Sequence, residues 1–334
     1  MRDIIHMIRI KSPGGGSNGG RGGRWTRMRT HEPAVQVPGR GYGHLPAIKS
    51  CLSVPASESR KVRRALASAA DLVIIDLEDS IPPDGKQEAR ASAVAILTES
   101  PELQNGHRLI AIRINAVGSQ WFLADVLAVV GLDAVSGVVV PKVEGVGDLG
   151  TMDAVLSSAE AARGRTRSLH TYALIETAGG LAAAGEIAQG SDRLVALIPG
   201  YADLGASLGR SARELGGDYW MPVQSAIVVA ARAAERMVID GQWLGVEDSV
   251  DFQAALRSSR AIGFDGAWVL HPSQVATANS TFAPTPNELA RAHQIIQAME
   301  QAHAAGVGAL QLDGQMLDAA VVKWAMRTVG SVPS

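Results

Sequence analysis

Carboxylates and cations in this chain collect at the ends of short apolar runs. Asp76, Glu78 and Asp79 close the run LVIIDLE, and Arg113 and Asn115 close LIAIRIN. Lys142 and Glu144 follow GVVVP, Glu176 and Thr177 follow TYALI, Asp203 follows LVALIP, and His271 closes AWVLH. If these ends share one face, carboxylates outnumber cations there, and several acids in one cleft repel one another unless a cation or protons compensate. Oxygen donors without a paired His or Cys suit a hard ion, Mg²⁺ or Mn²⁺, better than zinc. Such an ion polarises a carbonyl or alkoxide oxygen. Arg113, a fixed cation with a planar fork, suits a carboxylate or the negative charge of an enolate.

The elements that carry these residues alternate. Strand signals fall at 47–55, 72–78, 109–115, 137–143, 171–176, 194–199, 237–240 and 267–271, the seventh of them short. Helical patterns lie between them at 58–69, 86–97, 121–130, 147–162, 180–189, 203–208, 222–235 and 249–262. Strand alternating with helix implies a parallel sheet with helical crossovers. A count of eight implies closure into a (β/α)₈ TIM barrel, whose strand carboxyl ends converge on the face where active sites sit. The barrel is expected over 47–284. From 285 onward a Thr-Pro start opens a helix, followed by a turn at Asp313-Gly314 and one more amphipathic helix. This C-terminal helical extension, 285–334, must pack outside the barrel, cover its mouth or reach a neighbour.

Residues 1–46 read differently. Rich in Gly and Arg and without apolar periodicity, they are expected to be a disordered extension. The alternative is an RNA-binding tail, because Arg and Gly interleave around Trp25.

Composition narrows the classes. Hydrophobic residues make up 46% and aromatic residues 4%, so a core must be built from Ala, Val, Leu and Ile, as buried parallel strands require. A net charge of −2 gives no global argument for nucleic acid or an acidic membrane. The single cysteine, Cys51, cannot form an intrachain disulfide and reads as packing on an apolar strand. No apolar run approaches a membrane helix, and MRDIIHMIRIK is too short and interrupted for a signal-peptide core, so a cytoplasmic protein is expected.

Other residues carry two readings each. Lys142 is either a Schiff-base amine, as in metal-free aldolases, or a charge-balancing group. His271 in HPSQ is either a base or the structural close of the last strand. Arg60, Lys61, Arg63 and Arg64 either meet a ligand's phosphates or form a solvated helix face. Gly14-Gly15-Gly16 has no Lys-Ser/Thr or strand context and is not a phosphate loop. Ser225 and Ser273 lack a nucleophile-elbow setting.

The ordered stretches LSVPASESRKVRRAL, DLVIIDLEDSIPPDGKQEAR, IRINAVGSQW, VVVPKVEG, ALIETAGGL, GYADLGASLG, AIGFDGAWVLHPSQV and DGQMLDAAVVKWA span most of 48–330. In that order they resemble the HpcH/HpaI aldolase and citrate lyase family, in its citrate lyase β-subunit and malyl-CoA or citramalyl-CoA lyase branch. The resemblance implies metal ligation by Glu176 and Asp203, with Glu78 and Asp79 orienting the metal's waters. It implies that Arg113 and Glu176 bind substrate. It also implies an acid/base from a neighbouring subunit in a terminal MID-type motif; Met316-Leu317-Asp318 matches with Leu for Ile, which makes Asp318 the candidate. Where the family often reads FGxEDL, this chain reads Pro199-Gly200-Tyr201-Ala202-Asp203-Leu204, so the acid beside the metal Asp is replaced by Ala202.

The expected activity is therefore Mg²⁺-dependent carbon–carbon cleavage, or its reverse, of a 2-hydroxyacyl-coenzyme A thioester such as citryl-, malyl- or citramalyl-CoA, giving a 2-keto acid. Arg113 and Asp318 are its catalytic residues, and a homotrimer or hexamer is the expected assembly. One rival is a metal-dependent aldolase on free 2-keto acids; another is a catalytically weak binding subunit. A thioester hydrolysis step after condensation is a further variant.

Overall fold

The computed structural model describes residues 46–100, 109–210, 218–304, 310–312, 315–317 and 319–330. These form two compact units with the boundary between Ala283 and Pro284. The Gly/Arg-rich segment, save Pro46, and Asp318 lie outside the described residues.

The larger unit is a closed barrel of eight strands in sequential order, all parallel. They are β1 (Ser50–Pro55), β2 (Leu72–Asp76), β3 (Leu109–Arg113), β4 (Gly137–Val140), β5 (His170–Ile175), β6 (Leu194–Pro199), β7 (Met237–Asp240) and β8 (Gly266–Val269). Each expected strand is present, the short seventh included. The helices are α1 (Ser59–Leu66), α2 (Lys86–Thr98), α3 (Phe122–Val130), α4 (Val146–Arg163), α5 (Ala178–Ala182), α6 (Ala184–Gln189), α7 (Tyr201–Ser207), α8 (Met221–Ala233), α9 (Val250–Ile262) and α10 (Val275–Phe282).

Two helical details differ from the sequence expectation. The helix expected over 180–189 is two, broken at Ala183, whose φ of −92° and ψ of 5° leave the helical region. At its start Gly180 lies so close to β4's continuation that a Cβ would sit 2.4 Å from the Val143 carbonyl oxygen. Helix α10 has the sequence VATANSTF, whose β-branched and polar residues give little helical signal. It is secured by tertiary bonds: Asn279 accepts from the Ser50 hydroxyl at 2.7 Å and donates to the Ala69 carbonyl at 2.8 Å.

Side chains alternate across each strand, and the barrel sorts them into two cores. Cys51, Leu72, Ile74, Ala111, Val139, Tyr172, Leu174, Ile198, Ile239 and Trp268 fill the interior. Leu52, Val73, Ile75, Ile110, Ile112, Val138 and Val140 pack against the surrounding helices. Cys51 is fully buried in the interior, where burial pushes its thiol well above the ordinary range. It is an inert packing residue.

The smaller unit holds helix α11 (Pro286–Ala304), an antiparallel pair β9 (Leu310–Leu312) and β10 (Gln315–Leu317), and helix α12 (Ala319–Gly330). A capping box opens α11, with Glu288 accepting from the Thr285 N–H at 2.7 Å and the Thr285 hydroxyl accepting from the Glu288 N–H at 3.2 Å. Ala292, Ile295, Leu317, Val322 and Ala325 form this unit's own core. The two short strands, not expected from the sequence, flank Asp313-Gly314, the pair read as a turn, which itself lies outside the described residues.

Candidate active site

The same two-residue alternation that fills the interior also builds the site. One step beyond Leu72 and Ile74 stands Asp76; beyond Leu109 and Ala111, Arg113; beyond Tyr172 and Leu174, Glu176. These three form part of the next inward layer, at the carboxyl end of the barrel. On the sixth and seventh strands the same positions are Gly200 and Gly241, which leave space. The result is a cavity of about 370 Å³, walled by Asp76, Asp79, Arg113, Glu176 and Asp203, with Ala202, Leu244 and Leu270 among its apolar residues.

Arg113 is the fixed centre of charge. Its Nε and Nη2 donate to the two Asp76 oxygens, each at 2.6 Å. Its Nη1 lies 3.0 Å from Glu78 and 3.5 Å from Asp79. All three of its nitrogens thus lie against acids. The guanidinium lies 5.7 Å from the Trp268 ring, which forms a floor beneath it. Burial alone would raise the Asp76 carboxyl, but the Arg113 bonds and charge outweigh it and hold Asp76 below the usual range. The same acids hold Arg113 firmly protonated against its burial.

Lys142 is the second cation. Its Nζ lies 2.6 Å from Glu78, 3.2 Å from Asp203 and 3.5 Å from Asp79. Partial burial opposes its charge, yet Glu78, Asp79 and Glu176 raise its pKa above the ordinary lysine value. Schiff-base chemistry needs the neutral amine, so this environment favours the charge-balancing reading. Lys142 also has φ of 53°, a left-handed conformation uncommon outside glycine. In it the Lys142 N–H donates to Glu176 Oε2 at 3.0 Å.

Glu176 is almost wholly buried, at 3% exposure. Burial pushes its carboxyl up to about 7; Arg113 and Lys142 pull it down and Glu78 adds to the rise. Gly200 lies against it so tightly that a Cβ there would fall 2.4 Å from its Cγ and Oε1. Glu78 is raised as well, by burial first, with Arg113 opposing and Asp79 adding.

Glu176 and Asp203 therefore line one cavity, one buried and one half-exposed. Among the described residues no group of three His, Cys, Asp or Glu side chains is set to hold a metal. Two carboxylates in a cavity of this size fit Mg²⁺, which keeps several waters and takes one or two protein carboxylates beside its substrate. They do not make a closed structural site of the zinc type.

Other expected residues fall elsewhere. Asn115 donates to the Leu77 carbonyl at 3.1 Å and to Asp125 at 2.6 Å, holding the Glu78 segment from behind. Lys86 supports the same segment through the Leu77 and Glu78 carbonyls at 3.0 and 2.7 Å. Thr177 caps α5 by accepting from the Gly180 N–H at 3.0 Å, and Glu144 is exposed. His271 Nδ1 accepts from the Ser273 N–H at 3.2 Å and caps the turn Pro272–Gln274, a structural role. Arg63 pairs with Glu99 at 3.1 Å and Lys61 with Glu58 at 3.4 Å on an exposed face. Nothing local in the sequence marks a partner for Asp76 or a role for Tyr201 or Asp240; for Asp76 the one signal is the strand parity it shares with Arg113.

Residues 49–272 match the HpcH/HpaI aldolase/citrate lyase family. The chain belongs to that family. Among curated HpcH/HpaI relatives, an L-malyl-CoA/beta-methylmalyl-CoA lyase of Cereibacter sphaeroides is 34% identical over 289 residues, covering 81% of this chain and 90% of the relative. A (3S)-malyl-CoA thioesterase of the same species is 32% identical over 276 residues, covering 81% of this chain and 89% of the relative. Of the solved structures, the CitE protein of Mycobacterium tuberculosis in complex with magnesium, acetoacetate and coenzyme A superposes with a TM-score of 0.65 at 29% identity. That match covers 85% of this chain and 98% of CitE. No helix among the described residues is long and apolar enough to cross a membrane.

Proposed function

We propose that this chain is a Mg²⁺-dependent carbon–carbon lyase acting on 2-hydroxyacyl-coenzyme A thioesters of the malyl-CoA type. The observation that carries the reading is the common cavity of Arg113, Glu176 and Asp203, in a chain with an acyl-CoA lyase relative along four-fifths of its length. Glu176 and Asp203 would hold the ion. When bound, the ion supplies Lewis-acid polarisation to oxygens of the hydroxy- or keto-acid portion.

The protein's own groups supply the rest. Glu78 and Asp79, held by Arg113 and Lys142, orient water beside the ion. Arg113, on the wall of the cavity, meets the substrate carboxylate and steadies negative charge as the carbon–carbon bond breaks. Lys142 balances Asp203 and Glu78 while the ion is away. The substrate's hydroxyl proton leaves to solvent as the keto acid's carbonyl forms. Asp318 is read as the acid that delivers a proton to the departing thioester carbon, acting from a neighbouring copy, which requires a homo-oligomer; trimer or hexamer is the assembly proposed, in the cytoplasm.

The test is turnover of a panel of malyl-, citramalyl- and citryl-CoA esters with and without Mg²⁺, beside the free hydroxy acids. Cleavage of a thioester only with the metal supports the reading. Equal turnover of the free acids favours the aldolase rival. Release of free coenzyme A without carbon–carbon cleavage would mark a thioesterase, as the second relative's name describes for that protein.

A further inference from the structure

The hydrogen-bonded pairing of β6 with β7 ends early. Ala196 pairs with Met237 and Leu197 with Val238, but the ladder does not extend to Pro199 and Asp240, one turn of chain from the candidate site. Asp203 follows directly from this unladdered end. A side-chain bridge spans the gap. The Tyr201 hydroxyl donates to Asp240 Oδ1, and Gln224 donates to the same hydroxyl at 3.0 Å. Asp240 also accepts from the Gly241 N–H at 3.0 Å and, on its other oxygen, from the Ser259 hydroxyl at 2.5 Å.

The Tyr201 ring has little freedom. Gly241 lies flat beneath it, where a Cβ would fall 2.9 Å from two ring carbons and 2.1 Å from the Pro199 carbonyl oxygen. Trp220 meets it edge-on, with centroids 4.9 Å apart and planes at 67°. Both Tyr201 and Asp240 are buried, at 5% and 7% exposure. Neither takes part in the β6–β7 ladder, and Tyr201 opens the helical turn that carries Asp203. A buried carboxylate satisfied by two hydroxyls and an N–H is a specific anchor, because loss of one partner leaves a buried polar group without its bond.

We infer that Tyr201 and Asp240 are positioning residues that set Asp203 opposite Glu176, so that the two acids hold one divalent ion between them. The inference rests on the metal-binding reading of Asp203 proposed above. It assigns part of the ion's affinity to a hydrogen bond that joins the start of α7 to β7, made by a tyrosine that also lines the site cavity.

Calorimetric titration of the full chain with MgCl₂ tests it, using the wild type, Tyr201→Phe, Asp240→Asn and Leu256→Ala. Leu256 is buried on the wall of a second, smaller cavity that Tyr201, Gln224 and Asp240 also line, but takes no part in the hydrogen bonds. Tyr201→Phe and Asp240→Asn are expected to weaken Mg²⁺ binding by about 10–100-fold, the usual effect of disturbing a ligand's support. Leu256→Ala is expected to lower the melting temperature while leaving Mg²⁺ affinity at the wild-type value. Wild-type affinity in Tyr201→Phe overturns the positioning role and leaves the metal reading standing. Equal weakening in Leu256→Ala also overturns it, since loosening alone would then suffice. A wild type that takes up no Mg²⁺ removes the metal reading, and this inference with it.

Discussion

Asp76 and Arg113 are register partners on adjacent strands, and their side chains meet through two contacts of 2.6 Å each. The pair is buried, so its strength lies in mutual satisfaction. Removing Asp76 would leave a guanidinium in a low-dielectric layer with half its acceptors gone. Asp76→Ala is expected to cost about 3–5 kcal/mol of stability, the usual effect of breaking one side of a buried pair. Urea unfolding would measure it; a loss below about 1 kcal/mol would show that Glu78 and Asp79 replace Asp76 without strain.

Glu176→Gln and Asp203→Asn keep size and hydrogen bonding but remove the charge a hard ion needs. Each is expected to weaken Mg²⁺ affinity at least ~10-fold and to lower turnover by roughly 10²–10³. Titration calorimetry and steady-state rates at saturating Mg²⁺ check the two effects separately. Unchanged affinity in both variants would move the metal elsewhere.

The pH dependence has a defined sign. Glu176 rises from an ordinary 4.5 to about 7 on folding, so its proton is bound more tightly in the folded chain. Its contribution to stability is fully present below about pH 4.5 and is lost as pH rises through 7. For the metal-free protein that loss is on the order of 3 kcal/mol for this group. Melting should therefore occur at a lower temperature at pH 8 than at pH 5.5, and added Mg²⁺ should restore more stability at pH 8. A melting temperature that rises between those pH values without metal contradicts the assignment.

Lys142, held protonated by three acids, is not a carbonyl nucleophile in this reading. Borohydride added with substrate should leave activity intact, and mass spectrometry should find no adduct at Lys142. A reduced adduct there would restore the Schiff-base alternative.

Asp318→Ala should reduce turnover ~10²-fold or more while Mg²⁺ affinity stays unchanged. If Asp318 acts across a subunit boundary, mixing Asp318→Ala with Glu176→Gln and allowing exchange should recover part of the wild-type rate. No recovery from fully exchanged mixtures would place Asp318 in its own subunit's site.

Much of this was legible in the sequence because its signals are short in range. Runs such as LVIID and LIAIR are buried end to end and read as parallel strands from their composition. Arg113, Glu176 and Asp203 stand at strand ends, and a closed barrel brings such ends together without further information. What escaped depends on distant partners. Helix α10 is held by Asn279 reaching residues more than 200 positions away. Asp240 read as the end of a weak strand, and only the fold reveals Tyr201, Ser259 and Gly241 around it. His271 remained open until its ring was found capping the next turn.

The contact of Gly200 with Glu176 has a consequence for how this barrel can acquire new substrates. Any side chain at position 200 would collide with the Glu176 carboxylate, and one at 241 with the backbone of Pro199. Those two places are closed to variation. Diversity can instead enter through other residues that wall the same cavity, Ala202, Leu244 and Leu270 among them. A directed-evolution library confined to those three positions should reshape the range of acyl groups accepted while Glu176 and Asp203 are inherited unchanged.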